Sequence, residues 1–299
     1  MKIRIGFGLG TRSKTNDQES FGRFVDALED QGWDSLWLSE RVSGESPDPM
    51  MAMAFAAGRT TRLKLGQSVL VLPGRNPVLV AKAIASLDRL SNGRVLPAFG
   101  LGVAESVEHQ AFGVQRKERG ALFNEMLPLI RRLWTEEVVD HHGKRFQIEG
   151  ARVLPKPVQD SIDVWLGGSS LLELKRVGRL GDGWLPSFVA PADVRDGIAE
   201  IKRIAAENDR GIDEEHYGVL LSYHDGELDE HMVKSLKARR PELDVERVMT
   251  PRAKLAERIE SFVEVGASKF VVIPSQEPPA EQWPDHLHEM AEILMPLQT

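Results

Sequence analysis

The stretch RLKLGQSVLVLPGRNPVLVAKAIASLDRLSNGRVLPAFGLG, residues 62–102, decides the fold. Residues 63–71 form a short strand-like run that closes on Val69, Leu70 and Val71. Residues 77–90 repeat apolar side chains at helical spacing, and residues 94–101 return to a strand-like run. Strand, helix and strand in that order imply parallel strands joined by a right-handed crossover. The same alternation continues outward in both directions. Further candidate strands are 3–8, 35–39, 163–166, 183–187, 217–223 and 269–273, with helical periodicity in 20–31, 120–134, 171–180, 192–208, 252–265 and 280–294. Eight strand–helix units close into a (β/α)8 barrel, an α/β fold expected here as one domain over residues 1–299. An open sheet of six to eight strands is the rival that pattern alone leaves standing. Two segments interrupt the alternation. Residues 138–159 read as a hairpin-like excursion around His142 and Gly143, and the polar stretch 225–251 reads as short helices or a lid outside the barrel.

Composition narrows the function. With 299 residues and 41% hydrophobic side chains the chain buries a large core, and the absence of cysteine excludes disulfides, thiolate metal sites and cysteine nucleophiles. A formal charge of −7 argues against a nucleic-acid partner. The opening MKIRIGFGLG lacks the apolar core of a secretory leader, and no run nears the roughly 20 apolar residues of a membrane span. A cytoplasmic protein with a small-molecule substrate and no membrane partner is therefore expected.

Catalytic groups of such a barrel gather at the C-terminal ends of its strands, here 8–14, 39–45, 68–76, 100–108, 167–170 and 187–191. At one of them, Gly167-Gly168-Ser169-Ser170 leads straight into a helical segment. Glycines admit close backbone approach or positive φ, serine caps the helix, and the free N–H groups form an anion site suited to phosphate. The same residues also describe an ordinary strand-to-helix turn. Gly100-Leu101-Gly102 lets a flat ring approach the backbone, or makes a tight turn. Glu40, at a strand end, is a candidate acid or base if an apolar neighbour raises its pKa; the plainer alternative is a salt bridge with Arg41. Trp37 and Trp184 are read as core. Arg12, Lys14, Arg41 and Arg75 are loop cations that face the mouth and suit an anionic tail. The eight histidines show no metal spacing: His286 and His288 fall on different helix faces, and His141 and His142 lie in the excursion.

Taken in order, GWDSLWLSER (32–41), residues 62–94, FGLG (99–102), EHQAFGV (108–114), ERG (118–120), RRLWTEEVVDHHGKRFQIEG (131–150), PKPVQ (155–159), VWLGGSS (164–170) and RVGRLGDGWLPS (176–187) resemble the luciferase-like monooxygenase superfamily. The likeness is closer to its branch dependent on the deazaflavin coenzyme F420. The resemblance implies a barrel with an insertion, a bound deazaflavin or FMN, and a homodimer. It implies a non-prolyl cis peptide at Ser68-Val69 under the cofactor ring and a phosphate on Gly167, Gly168, Ser169 and Ser170. It extends the cofactor site to Ser39, Gly102 and Ser106. Two departures stand out. Many relatives follow the acidic residue of strand 2 with histidine, where this chain has Arg41. Some place a carboxylate directly after the second glycine of strand 4, where this chain has Val103, with Glu105 and Ser106 nearby. Three functions follow in order of preference: hydride transfer between F420 and a small organic substrate with Glu40 in catalysis, an FMN-dependent monooxygenase served by a partner reductase, and a non-catalytic flavin-binding protein.

Overall fold

A computed structural model describes all residues except 104, 229, 240 and 242, and leaves the side chains of 231, 232, 235 and 239 undescribed. The chain begins β1 (Arg4–Leu9), α1 (Gln18–Asp30), β2 (Ser35–Leu38), α2 (Pro49–Arg59), β3 (Lys64–Gln67), β4 (Leu70–Val71) and α3 (Pro77–Leu90). It continues with β5 (Val95–Leu96), β6 (Ala98–Gly100), α4 (Ser106–Phe112), α5 (Arg119–Thr135), β7 (Val139–His142) and β8 (Gln147–Ala151). Next come β9 (Trp165–Leu166), α6 (Leu171–Leu180), β10 (Gly183–Trp184), α7 (Pro191–Ala206) and β11 (Gly218–His224). The last elements are α8 (Glu230–Arg239), α9 (Val245–Val248), β12 (Met249–Pro251), α10 (Leu255–Val263), β13 (Lys269–Pro274) and α11 (Trp283–Leu294).

One sheet runs β12-β11-β13-β1-β2-β3-β5 and a second β10-β9-β6-β4, every pairing parallel. The Ser68-Val69 break separates β3 from β4, and Pro97 separates β5 from β6, so each pair is one stave of the wall. Parallel bridges Trp184–Tyr217 and Ser187–Leu220 join the second sheet to β11 and close the ring. The eight expected strands are all present, and closure excludes the open sheet. The excursion at 138–159 is the antiparallel hairpin β7–β8. Residues 225–251 contain the short helices α8 and α9 as expected, and β12 besides, which pairs with β11.

Two helices were not legible. In α2, PMMAMAFAAGR is apolar on most of its turns and shows no amphipathic contrast. Its start signal is nonetheless present, since the Asp48 side chain accepts from the N–H groups of Met50 and Met51 and Pro49 opens the first turn. The seven-residue α4 is too short for periodicity.

Inside the barrel Trp37, Ala98, Trp165, Leu185, Val271 and Ile273 form a separate apolar plug. Trp37 is core, as expected, and glycine makes room for the plug's indoles: a Cβ at Gly66 would lie 2.5 Å from the Trp37 ring, and one at Gly183 2.5 Å from Trp165. At the N-terminal end, Lys269 Nζ donates to Asp34 Oδ2 at 2.8 Å while Lys64 reaches the other oxygen at 3.2 Å. The plug fills the lower barrel beneath the strands' C-terminal ends.

Candidate active site

A cavity of about 310 Å³ opens at that end. Ser39, Glu40, Ser68, Val69, Gly102, Gly167 and Gly168 all line it, so most of the anticipated residues from four staves meet there. The Ser68-Val69 peptide is cis, as the resemblance implied. The Ser39 hydroxyl lies 3.1 Å from the Ser68 carbonyl and 3.2 Å from its hydroxyl. Gly100 and Gly102 both line the cavity, and neither has room for a side chain: a Cβ at Gly100 would lie 2.3 Å from the Val69 side chain, and one at Gly102 2.9 Å from that of Val71. Gly102, at φ +77°, makes the turn.

Glu40 has a side chain only 6% exposed. Its Oε2 accepts from the Val71 N–H at 2.6 Å, and its Oε1 pairs with the Arg75 guanidinium, which also donates to the Val71 carbonyl at 2.9 Å. Burial raises the Glu40 pKa above the usual glutamate range, with Arg75 opposing. The expected partner Arg41 faces the other way. It pairs with Glu105 and lies 4.0 Å from Glu108, which also accepts from the Ser43 N–H and hydroxyl at 3.0 and 2.8 Å. Burial would raise the Glu108 pKa, but the Ser43 and Val42 hydrogen bonds hold it below its ordinary value. Two of the four mouth cations, Arg41 and Arg75, are thus committed to carboxylates, while Arg12 and Lys14 sit on the exposed loop after β1 and do not line the cavity.

Ser106 corrects the sequence reading. It is exposed at the start of α4 and lies off the cavity, because α4 turns Glu108 inward and leaves Ser106 on its outer face. Ser169 and Ser170 are exposed beside the lining residues Gly168 and Glu173 and do not themselves line the cavity. Their N–H groups donate to Glu173 Oε2 at 3.0 and 2.9 Å, and Ser170 caps α6 in a reciprocal box with Glu173. Gly168 adopts φ +91°, and a Cβ there would lie 2.3 Å from the Glu173 carboxylate carbon. The loop therefore holds an anionic group already, supplied by the chain itself. The Trp184 indole N–H fixes its back by donating to the Gly168 carbonyl at 2.8 Å.

Other lining residues were not singled out from the sequence. Arg176, three residues beyond Glu173, lines the cavity, donates to Asn124 Oδ1 at 2.9 Å and stacks over Phe123. Thr11, Leu185, Ser187, Phe188 and Leu220 line the cavity as well, beside Phe99, Leu101, Val103 and Leu166. Of these, Thr11 lies in the strand-end segment 8–14 and Ser187 and Phe188 in 187–191, which carried that signal; nothing local marks Leu220 or Arg176.

The donor set fits a phosphorylated deazaflavin or flavin: backbone N–H groups that bind an oxyanion, a guanidinium beside them, and a cavity with apolar and hydroxyl walls. Comparison with known proteins agrees. Residues 2–268 match the sequence profile of the luciferase-like monooxygenases. An F420-dependent glucose-6-phosphate dehydrogenase from Kineococcus radiotolerans is 32% identical over 210 residues, 64% of this chain and 61% of that protein. One from Segniliparus rotundus is 30% identical over 243 residues, 75% of this chain and 70% of that protein. The matched part of the chain thus spans less than two thirds of the Kineococcus relative. A solved F420-dependent secondary alcohol dehydrogenase, in complex with an F420–acetone adduct, superposes with a TM-score of 0.81 over 98% of this chain and 99% of its own at 20% identity, a likeness of fold.

Proposed function

From the premise that the chain belongs to the luciferase-like monooxygenase family, we propose that it is an F420-dependent oxidoreductase that moves a hydride between the coenzyme and a small organic substrate. The observation that carries this reading is the anion loop at 167–170 opening into the same cavity as the Ser68-Val69 peptide and the buried Glu40. Relatives 30–32% identical carry F420-dependent names, which supports the coenzyme.

When bound, F420 supplies a two-electron hydride acceptor or donor that reacts poorly with oxygen. The chain's own groups do the rest. The Ser169 and Ser170 N–H groups and Arg176 would hold the phosphate once Glu173 turns away. Trp184 keeps the loop in register through Gly168. Glu40 exchanges the proton: as a C–H bond of an alcohol yields its electron pair as hydride, the hydroxyl proton passes to the carboxylate, and carbonyl reduction reverses both transfers. Glu105 and Glu108 are tied to Arg41 and the Ser43 loop, so among the described lining residues Glu40 and Glu173 are the carboxylates within reach. The homodimer implied by the resemblance belongs to this reading, and the exposed Met51 and Leu79 on adjoining helices α2 and α3 are consistent with it.

Titration of the pure protein with F420 and with FMN, followed by fluorescence quenching, tests the proposal. Tight F420 binding with reduction by a substrate alcohol is expected. Tight FMN binding with none for F420 makes the chain an FMN-dependent monooxygenase, and binding without turnover makes it a carrier.

A further inference from the structure

Resting on the F420 reading, we infer that the substrate is an uncharged, largely apolar carbonyl or hydroxyl compound seated against Leu185, Phe188 and Leu220, and that Phe188 sets its size. The charge balance of the cavity points this way. Among the described residues its charged lining consists of Glu40, Arg41, Glu173 and Arg176, two acids and two bases. Arg41 is held by Glu105 and Glu108, and Arg176 stands on the side of the anion loop, where the coenzyme phosphate goes. A phosphorylated sugar would bring a second dianion with no lining cation left to meet it, and a buried unpaired charge is costly.

The usual phosphate position of such barrels, after strands 7 and 8, offers no substitute. Here β11 is followed by Asp225 and Glu227, and β13 by Glu277, which accepts from the Lys14 N–H at 3.2 Å and the Thr15 hydroxyl at 3.0 Å. Arg252, a cation near that end, is paired with Asp225 and Glu289.

What faces the substrate side is apolar. Leu185, Phe188 and Leu220 all line this cavity, Leu185 and Leu220 within one apolar cluster, and the Thr11 and Ser187 hydroxyls supply the few placed polar groups that orient a neutral ligand. Phe188 is held there from behind. Its backbone sits at φ +55°, and it packs against the cluster of Val245, Val248 and Met249 from the 225–251 excursion. The excursion thereby presents a phenyl ring to the cavity, so a bulkier substrate must displace that ring.

The experiment compares cyclohexanone with glucose 6-phosphate on wild type, Phe188→Ala and Phe188→Leu. Calorimetric binding is measured on cofactor-free and F420-loaded protein, and turnover by F420 absorbance. Cyclohexanone is expected to bind and glucose 6-phosphate not to. Phe188→Ala should weaken cyclohexanone about tenfold and admit 4-phenylcyclohexanone, while Phe188→Leu, which keeps the contact with the excursion, restores most of the loss. Binding or turnover of glucose 6-phosphate overturns the inference, as does a Phe188→Ala protein whose preference among the ketones is unchanged. Failure of F420 to bind removes the coenzyme reading alone, because the preference between ketone and sugar phosphate is read on the cofactor-free protein as well.

Discussion

Replacing Glu173 with glutamine isolates one electrostatic contest. In the wild type a single carboxylate oxygen accepts from both the Ser169 and Ser170 N–H groups, at 3.0 and 2.9 Å. A coenzyme phosphate needs those same donors and must also approach the carboxylate's charge. Hydrogen bonds to an ionised acceptor contribute about 1.5–3 kcal/mol, against about 0.5–1.5 for a neutral one, so an amide at position 173 loosens the internal contact by roughly 1–1.5 kcal/mol. Since 1.4 kcal/mol is about tenfold in affinity, phosphate-bearing cofactor should bind Glu173→Gln about five- to tenfold more tightly. The cost falls on α6, whose reciprocal cap is weakened by up to about 1 kcal/mol. Fluorescence titration with F420 and a thermal melt measure both on one preparation. Tighter cofactor with a slightly lower Tm is expected. Unchanged or weaker affinity, with α6 still folded, would mean that the phosphate never competes for these N–H groups, and the loop would lose its assignment.

Gly168→Val combines a strained φ of +91° with a clash against Glu173, so a folded variant should lose at least about tenfold in F420 affinity; a normal titration curve would count against the loop. Glu40→Gln should lower turnover by about 10²- to 10⁴-fold while cofactor affinity holds. Because burial raises the Glu40 pKa, carbonyl reduction in the wild type should be full below that raised value and fall as pH climbs through it, and the glutamine variant should lack this limb; an unaltered pH profile would acquit Glu40. Asp34 is shifted the other way: burial opposes ionisation, but Lys269 and Lys64 prevail and bring its pKa down to about 2. Its stabilisation, about 2 kcal/mol, is therefore present above the ordinary value of 3.8 and lost as pH falls from there towards about 2. Asp34→Asn, which strands the buried Lys269, should cost about 3–5 kcal/mol in urea melts at neutral pH, and a wild-type midpoint would refute the pairing.

The staves were legible because parallel strands buried on both faces read as apolar runs, and helices such as 77–90 and 171–180 carry amphipathic periodicity that matches α3 and α6 end to end. The turn at 167–170 was legible because its requirement is local: glycine at a positive φ, then a capping serine. What the sequence hides is contact across staves. Arg75 meets Glu40 because β4 ends beside β2, and Arg176 reaches the cavity from the second turn of α6; neither is a sequence neighbour of its partner. Ser106 misled for a related reason, since its closeness in sequence to Gly102 says nothing about which face of α4 it takes.

The exchange of histidine for Arg41 is best understood through the same geometry. Successive residues leaving a strand point to opposite sides. Glu40 turns towards the end of β4, where Val71 and Arg75 receive it, while Arg41 turns towards α4 and binds Glu105 and Glu108. Arg41 is therefore no replacement for an imidazole beside the reacting carbon. A guanidinium does not titrate in the working range, and this one is spent anchoring α4. Neither carboxylate partner lines the cavity, and the Ser43 and Val42 hydrogen bonds hold the Glu108 pKa down. On the proposed reading proton exchange then falls to Glu40, whose burial moves its pKa towards the range where a carboxylic acid is useful, and whose paired cation, Arg75, limits how far that shift can go.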